Sequence, residues 1–309
     1  IHGKVSHSSP YQPFAWDDDL TISPAGKKAH LKDAKAYGES TSRGIKNAGK
    51  AGKPFFLSIN ISDPHKPFWS QVRGGGEDPY VPSRIYTAEE VPVPGFLFED
   101  PEVREELALY YSSVRRADDC LNEVLKALRK SGQWENTMIV FLSDHGMPLP
   151  FAKTQLYHHS THTPLMVRLP GITEAGQVEK RHMVSVLDLL PTVLDSLGIP
   201  KPKRLDGRSF LPLLRGEKQE DRDYIIKEYN ENAGRSRDPM RAIQSKTHLY
   251  LFNPWSNGER IFATATNGTV TCKRMIKLSE EDEEMNKRLE LYRFRVPEEL
   301  YQVNKDPDC

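Results

Sequence analysis

Two acid–imidazole pairs follow apolar runs in this chain. Asp144-His145 comes just after the run 137–142 (TMIVFL) and is closed by Gly146, and Asp63-Pro64-His65 follows the run 54–61 (PFFLSINI). A carboxylate and an adjacent imidazole on a tight glycine-ended turn can both face one cation, though such a pair taken alone more often caps the loop that it opens. Lys153 stands in a proline-bounded loop beyond His145, and Lys4 and His7 lie near the start of the chain. A lysine beside a cation offers an anionic substrate a compact positive charge with three donors, whereas a lysine taken singly is ordinarily a solvated surface charge. His158, His159 and His162 cluster after Lys153, either to meet a sugar or as part of an exposed loop, and Asp63 either contacts a substrate hydroxyl or caps its strand.

These residues need elements to hold them. The runs 54–61 and 137–142 read as buried strands, and in open α/β sheets ligands gather at the carboxyl ends of such strands. Val103, Leu107, Tyr110, Val114, Ala117, Leu121, Val124 and Leu128 recur at spacings of four and three, which predicts a helix starting after Pro101 and ending near Ser131-Gly132. That stripe is expected to face the core. A strand over 164–169 and a helix over 184–197 follow, so the order argues for an α/β core with a largely parallel sheet. Residues 67–101, with three consecutive glycines and many prolines, read as loop. After about Gly216 the pattern changes to short strands (224–228, 240–245, 248–252 and 299–303) with a charge-dense surface helix over 279–295. The expected division is 1–216 as a partial α/β core and 217–309 as a smaller α+β lobe with an antiparallel sheet.

Composition narrows the classes. Of 309 residues, Lys and Arg total 43 and Asp and Glu 43, so no net charge draws the chain to nucleic acid or an anionic membrane. No apolar run approaches the roughly 18 residues of a membrane span, so none is expected. Cys120, Cys272 and Cys309 make no disulfide framework and match no zinc spacing. The chain opens at Ile1 with no initiator methionine or leader and stops at Cys309 just after a strand-like segment. The expectation is an interior slice of a longer protein that persists only with its own amino-terminal portion, because a partial sheet exposes edges and apolar surface.

In combination, the segments resemble the type I, formylglycine-dependent sulfatases. Residues 137–156 (TMIVFLSDHGMPLPFAKTQL) are similar to that family's metal-and-lysine segment, and Gly3-Lys4-Val5-Ser6-His7 to its GK-x(1–2)-H element. Residues 55–65 (FFLSINISDPH) resemble the strand carrying its active-site histidine, and 184–192 (VSVLDLLPT) its helix VSLLDLLPT. Residues 206–214 (DGRSFLPLL), Glu299-Leu300-Tyr301 and Asp306-Pro307 resemble its carboxyl-terminal features. The segments occur in the family's order across nearly the whole chain. The 63–66 and 146–157 segments are worded most like the sulfamidase branch, while the Lys4–His7 spacing and His145 lean toward the iduronate-2-sulfatase branch.

The resemblance implies an alkaline-phosphatase/sulfatase-like fold: a mixed, mostly parallel sheet flanked by helices. It implies hydrolysis of sulfate esters or sulfamates on sulfated sugars, of heparan type (N-sulfoglucosamine) or another O-sulfated glycan, in a periplasmic, secreted or lysosomal setting. It assigns Asp144 and His145 to calcium, of which His145 is the less comfortable because calcium prefers hard oxygens. It assigns Lys4 and Lys153 to the sulfate oxygens, His65 to donation toward a sulfate or leaving-group oxygen, and His7 to a hydroxyl proton during breakdown of the sulfated intermediate. The nucleophile motif Cys-x-Pro-x-Arg is absent, since Cys120 precedes Leu-Asn-Glu and Cys272 precedes Lys-Arg-Met. Tyr80-Val81-Pro82-Ser83-Arg84 copies it without a cysteine, and Asp17-Asp18-Asp19 lacks the apolar strand that the family's amino-terminal metal aspartates follow. The slice alone is therefore expected to be inactive, with formylglycine and further calcium ligands supplied from an amino-terminal part. Two alternatives stand beside this reading: a metal-dependent phosphatase or phosphodiesterase of the same superfamily, and a non-catalytic carbohydrate-binding relative.

Overall fold

The computed structural model describes residues 1–4, 12–13, 15–72, 74–232 and 236–309. They form two compact units, Ile1–Val93 with Glu99–Thr137, and Pro94–Phe98 with Met138–Cys309. The sequence division at 216 falls inside the second unit.

The first unit is built on two packed helices, α1 (Ala34–Lys50) and α2 (Pro101–Lys130). Each starts on an aspartate cap: Asp33 accepts from Lys35 N, and Asp100 from Glu102 N with a proline in the first turn. α2 ends at Ser131, ahead of Gly132, as the sequence predicts. Its buried face differs from the predicted stripe. Val103, Leu107 and Leu128 are inside, at about 1.5–3 kcal/mol for each such side chain, but so are Ser112, Ser113, Arg116 and Cys120, while Val114 is 38% exposed. The polar residues turn inward because loop 67–101 needs partners for its backbone. Ser113 Oγ accepts from Trp69 N (2.6 Å), Ser112 Oγ from Tyr86 N (2.9 Å) and Asp119 from Ser83 N (2.7 Å), while Arg116 donates to Tyr80 O (2.8 Å). The predicted strand 54–61 is extended backbone with one parallel bridge, His2 to Ile59. It is not buried: Phe56 is 76% exposed.

The second unit opens with β1 (Ile139–Leu142), then α3 (His158–Thr161) and β2 (Leu165–Arg168), which pairs antiparallel with β1. These strands are also only half-covered, with Met166 57% exposed, because no described layer covers their open face. A 3-10 turn capped by Ser185 leads into α4 (Leu189–Ser196), shorter than the predicted 184–197, and α5 (Leu211–Leu214) follows. Asp188 joins this region by accepting from Arg208 N and from Arg222, both at 2.7 Å.

The remaining strands, β3 (Tyr224–Glu231), β4 (Arg237–Ser245), β5 (Leu249–Phe252) and β6 (Glu298–Tyr301), form one antiparallel sheet in sequence order. Alternation sorts Asp238, Met240, Ala242 and Gln244 of β4 to the buried side. Between β5 and β6 come α6 (Val270–Leu278), capped by Thr269, and α7 (Glu283–Phe294), which buries Leu289 and Tyr292. Sequence patterning found α7 and missed α6. No described helix is long and apolar enough to cross a membrane.

Candidate active-site residues

Lys4 and His65 belong to the first unit, and Asp144, His145 and Lys153 to the second. His7 lies outside the described residues.

Lys4 follows the His2–Ile59 bridge and adopts φ 56, beside Gly3 at φ 72. Gly3 has no substitute: a Cβ there would lie 2.5 Å from Asn60 O, and Asn60 Nδ2 donates to the carbonyls of His2 and Gly3, each at 3.1 Å. A lysine in the left-handed region is uncommon and marks a position that its surroundings force.

His65 sits on the turn opened by Asp63. Its Nδ1 bonds Lys66 O at 2.7 Å, and since a carbonyl only accepts, Nδ1 carries the proton. Nε2 is then the position that holds or releases a proton toward a ligand. Asp63 resolves as an anchor: it is buried, held by Arg116 (Nε to Oδ2, 2.5 Å; Nη2 to Oδ1, 3.3 Å) and by Lys32 (Nζ to Oδ1, 3.0 Å). Arg116 also binds Asp78 Oδ2 at 2.7 Å. A cleft of about 390 Å³ opens beside this network, lined by Lys32, Lys35, Tyr80 and Arg116 among others. Nothing local in the sequence singled out Arg116, which stands in a charged stretch of α2.

Asp144 and His145 leave the end of β1 together. Gly146 makes the turn possible: its N donates to Ser160 O at 2.8 Å, and a Cβ there would lie 2.2 Å from His159 O. His145 Nδ1 bonds Gly146 O at 2.8 Å, so a proton is on Nδ1 and it is Nε2 whose lone pair a cation would take. That atom lies 3.6 Å from Asp144 Oδ2, whose side chain is 72% exposed. The separation is long for a hydrogen bond. It is about the spacing of two ligands at right angles around an ion with bonds of about 2.5 Å. The donors therefore fit a cation as two members of its shell. No group of three metal-ligating side chains occurs among the described residues, so a shell of about six to eight ligands needs more donors than this pair.

Lys153 and Thr154 are partly exposed on a loop in which Phe151, Ala152, Gln155, Leu156 and Tyr157 are buried. Its N donates to Met147 O at 3.1 Å. Phe151 (φ 63) and Thr154 (φ 65) flank it in the left-handed region, each at a cost of about 1–3 kcal/mol. Of the three histidines after it, His158 and His159 are half-buried and His162 is exposed. His159 stacks on Phe96 (3.9 Å between centroids), its Nε2 bonds Phe151 O at 2.9 Å, and burial pushes its imidazole down to about 4. His158 bonds Gln244 Nε2 at 2.7 Å and stacks on His162. His159 thereby braces the Lys153 loop.

A family model described as Sulfatase matches residues 16–199, more than half of the chain. The chain belongs to the sulfatase family. A second model, described as N-sulphoglucosamine sulphohydrolase, C-terminal, matches residues 144–257 of this sulfatase-family chain. N-sulphoglucosamine sulphohydrolase of Homo sapiens is 30% identical over 283 residues, covering 82% of this chain and 55% of that protein. The multifunctional alkaline phosphatase superfamily protein PehA of Trinickia caryophylli is 31% identical over 213 residues, covering 56% and 40%. The chain thus spans about half the length of the curated relatives it matches. The solved phosphonate monoester hydrolase of Agrobacterium radiobacter is similar with a TM-score of 0.61 at 21% identity, over 96% of this chain and 61% of that one. That likeness is one of fold: the sulfatase-family chain has the alkaline-phosphatase-like architecture.

Proposed function

We propose that this sulfatase-family chain supplies sulfate-binding, proton-transferring and metal-binding residues of an exported sulfatase that hydrolyses sulfate esters or sulfamates of sulfated sugars. The observation that carries the reading is the segment 144–157. It joins a carboxylate–imidazole pair that can present lone pairs to one cation and a lysine raised from a mostly buried loop with left-handed residues. The match of the N-sulphoglucosamine sulphohydrolase model from residue 144 supports an N-sulfated amino sugar as the substrate.

Asp144 and His145 would hold calcium. When present, calcium supplies positive charge against the sulfate oxygens, and a formylglycine in an amino-terminal portion supplies the nucleophile. Lys4 and Lys153 bind the sulfate oxygens and offset the negative charge that grows on them in the transition state. His65, protonated on Nε2 while Lys66 O holds Nδ1–H, donates to the leaving-group nitrogen or oxygen. His7 takes a hydroxyl proton in the later step. Asp63 serves the site through the position of His65 rather than by touching substrate. The amino-terminal portion would also cover the apolar side chains that 54–61, β1 and β2 leave exposed, Phe56, Leu142 and Met166 among them.

The test is sulfate release by this chain joined to its amino-terminal portion, matured to formylglycine and supplied with calcium. Glucosamine N-sulfate, an O-sulfated sugar and a phosphate diester are the substrates, with the 309-residue chain alone as the control. Release from the N-sulfate supports the reading. Turnover of the diester alone refutes it in favour of a phosphohydrolase, and binding of the sugars without any turnover leaves a carbohydrate-binding protein.

A further inference from the structure

The loop that carries Lys153 is held at each residue from Thr154 to Tyr157 by side chains from the carboxyl-terminal part of the chain. Lys227 of β3 donates from Nζ to Leu156 O (3.2 Å), Tyr157 O (3.4 Å) and Gln244 Oε1 (2.5 Å). Arg295, at the end of α7, donates to Gln155 Oε1 and to Glu299 Oε1 (2.5 Å), and its guanidinium lies 4.6 Å from the centre of the Tyr157 ring. Glu299 Oε2 accepts from Tyr157 Oη (2.9 Å) and Tyr301 Oη (2.6 Å), and Oε1 accepts from Asn253 Nδ2 (2.8 Å). Directly after the lysine, Thr154 Oγ1 meets Thr264 Oγ1 at 2.8 Å.

Stability alone does not account for this. The Arg295 and Glu299 side chains are 0% and 3% exposed. A buried ion pair commonly contributes no more than apolar residues of the same volume would. What charged hydrogen bonds add is direction, because a guanidinium fork and a carboxylate accept only a narrow set of orientations. The loop needs direction, since Phe151 and Thr154 persist in left-handed conformations only where their surroundings over-determine them.

We propose that Glu299, with Arg295, Tyr157, Lys227 and Thr264, are positioning residues for Lys153, fixing where its ammonium meets the sulfate oxygens. The proposal rests on the reading of Lys153 as a sulfate-binding residue. It gives the carboxyl-terminal sheet a part in the chemistry without any contact with substrate.

A double-mutant cycle on the active protein, this chain with its amino-terminal portion, tests it. Lys153→Met is expected to lower kcat/KM for the sulfated sugar by about 100-fold. Tyr157→Phe keeps the ring over Arg295 and removes only the hydroxyl bonded to Glu299. Its expected effect is a roughly 5- to 10-fold loss, mostly in kcat, that shrinks below about 2-fold in the Lys153→Met background. Thr264→Val, which removes the hydroxyl facing Thr154, is expected to behave the same way and serves if Tyr157→Phe fails to fold. Equal losses in both backgrounds would overturn the positioning role and leave the function of Lys153 standing. A Lys153→Met protein with unchanged kcat/KM would overturn both.

Discussion

Arg116→Met is the substitution whose cost the structure defines best. The arginine gives two hydrogen bonds to Asp63 (2.5 and 3.3 Å), one to Asp78 (2.7 Å) and one to Tyr80 O (2.8 Å). The side chains of Arg116, Asp63 and Asp78 are 2%, 0% and 10% exposed, so water cannot replace what is lost. Removing one partner of a buried pair costs about 3–5 kcal/mol, since a charge is left uncompensated. Asp63 keeps Lys32 at 3.0 Å, which places the expectation near the lower end, about 3 kcal/mol. Equilibrium urea unfolding followed by tryptophan fluorescence reads this directly, because the Trp69 ring lies 5.6 Å from the guanidinium. With a slope of about 2 kcal/mol per molar, the midpoint should fall by about 1.5 M. Lys126→Met is the control: its partner Glu123 is on the surface, with side chains 59% and 34% exposed, and its loss should cost about 0–0.5 kcal/mol. Adding Asp63→Asn to Arg116→Met should recover part of the loss by removing the stranded carboxylate. A midpoint no lower than that of Lys126→Met would refute the account of how the His65 turn is held.

Three further outcomes follow from the geometry. Gly3→Ala forces a Cβ to within 2.5 Å of Asn60 O at φ 72, so stability should fall by about 1–3 kcal/mol in the same urea assay and sulfate release should fall with it; unchanged release would detach Lys4 from the site. Burial pushes Lys227 down from 10.5 to about 8, so between those values the unfolded chain binds the extra proton and stability rises with pH by up to about 1.4 kcal/mol per unit. The unfolding free energy of the native protein minus that of Lys227→Met, taken from about pH 7 to 10.5, checks the sign, and a difference that stays flat rules it out. Asp144→Asn removes the exposed carboxylate beside the His145 lone pair and should weaken calcium binding by at least about 10-fold, measured by chelator competition; unaltered affinity would place the metal elsewhere.

Elements with strong local signals were legible in the sequence. The ends of α2 are written in Asp100-Pro101 and Ser131-Gly132, and β3 to β6 in alternation between turns. Burial was less legible because partners far along the chain decide it. Arg116 is inside since Asp63, 53 positions away, binds it, and the apolar run 54–61 is only half-buried, with Phe56 exposed, since no described layer covers it. α6 was missed because Val270-Thr271-Cys272 opens it with weak helix formers, although Thr269 caps it. Residue types and order named Lys4, His65, Asp144, His145 and Lys153 as the candidate site residues. Their supports Arg116, Lys227 and Arg295 carry no local mark that separates them from surface charges, and Glu299 stood out only as part of a segment resembling the family's carboxyl-terminal features.

Those supports share a logic. Asp63 bonds Arg116 two residues before His65, and Arg295 and Glu299 bond Gln155 and Tyr157 just after Lys153. In both cases a loop that must present one polar side chain is fastened by a buried arginine–carboxylate pair. Apolar packing could supply comparable free energy, but it is non-directional and would let a short loop rotate about its anchor. A guanidinium that bonds a carboxylate and a second loop acceptor at once, Tyr80 O in one case and Gln155 Oε1 in the other, fixes rotation as well as position. Left-handed residues fit the same requirement: Lys4, Phe151 and Thr154 are three of the seven non-glycine residues with positive φ among the described residues, and each is or flanks a candidate lysine. Strain of that kind relaxes unless the loop is locked, so the buried ion pairs and the strained backbone meet one requirement of the proposed roles of Lys4, His65 and Lys153: a polar side chain held still.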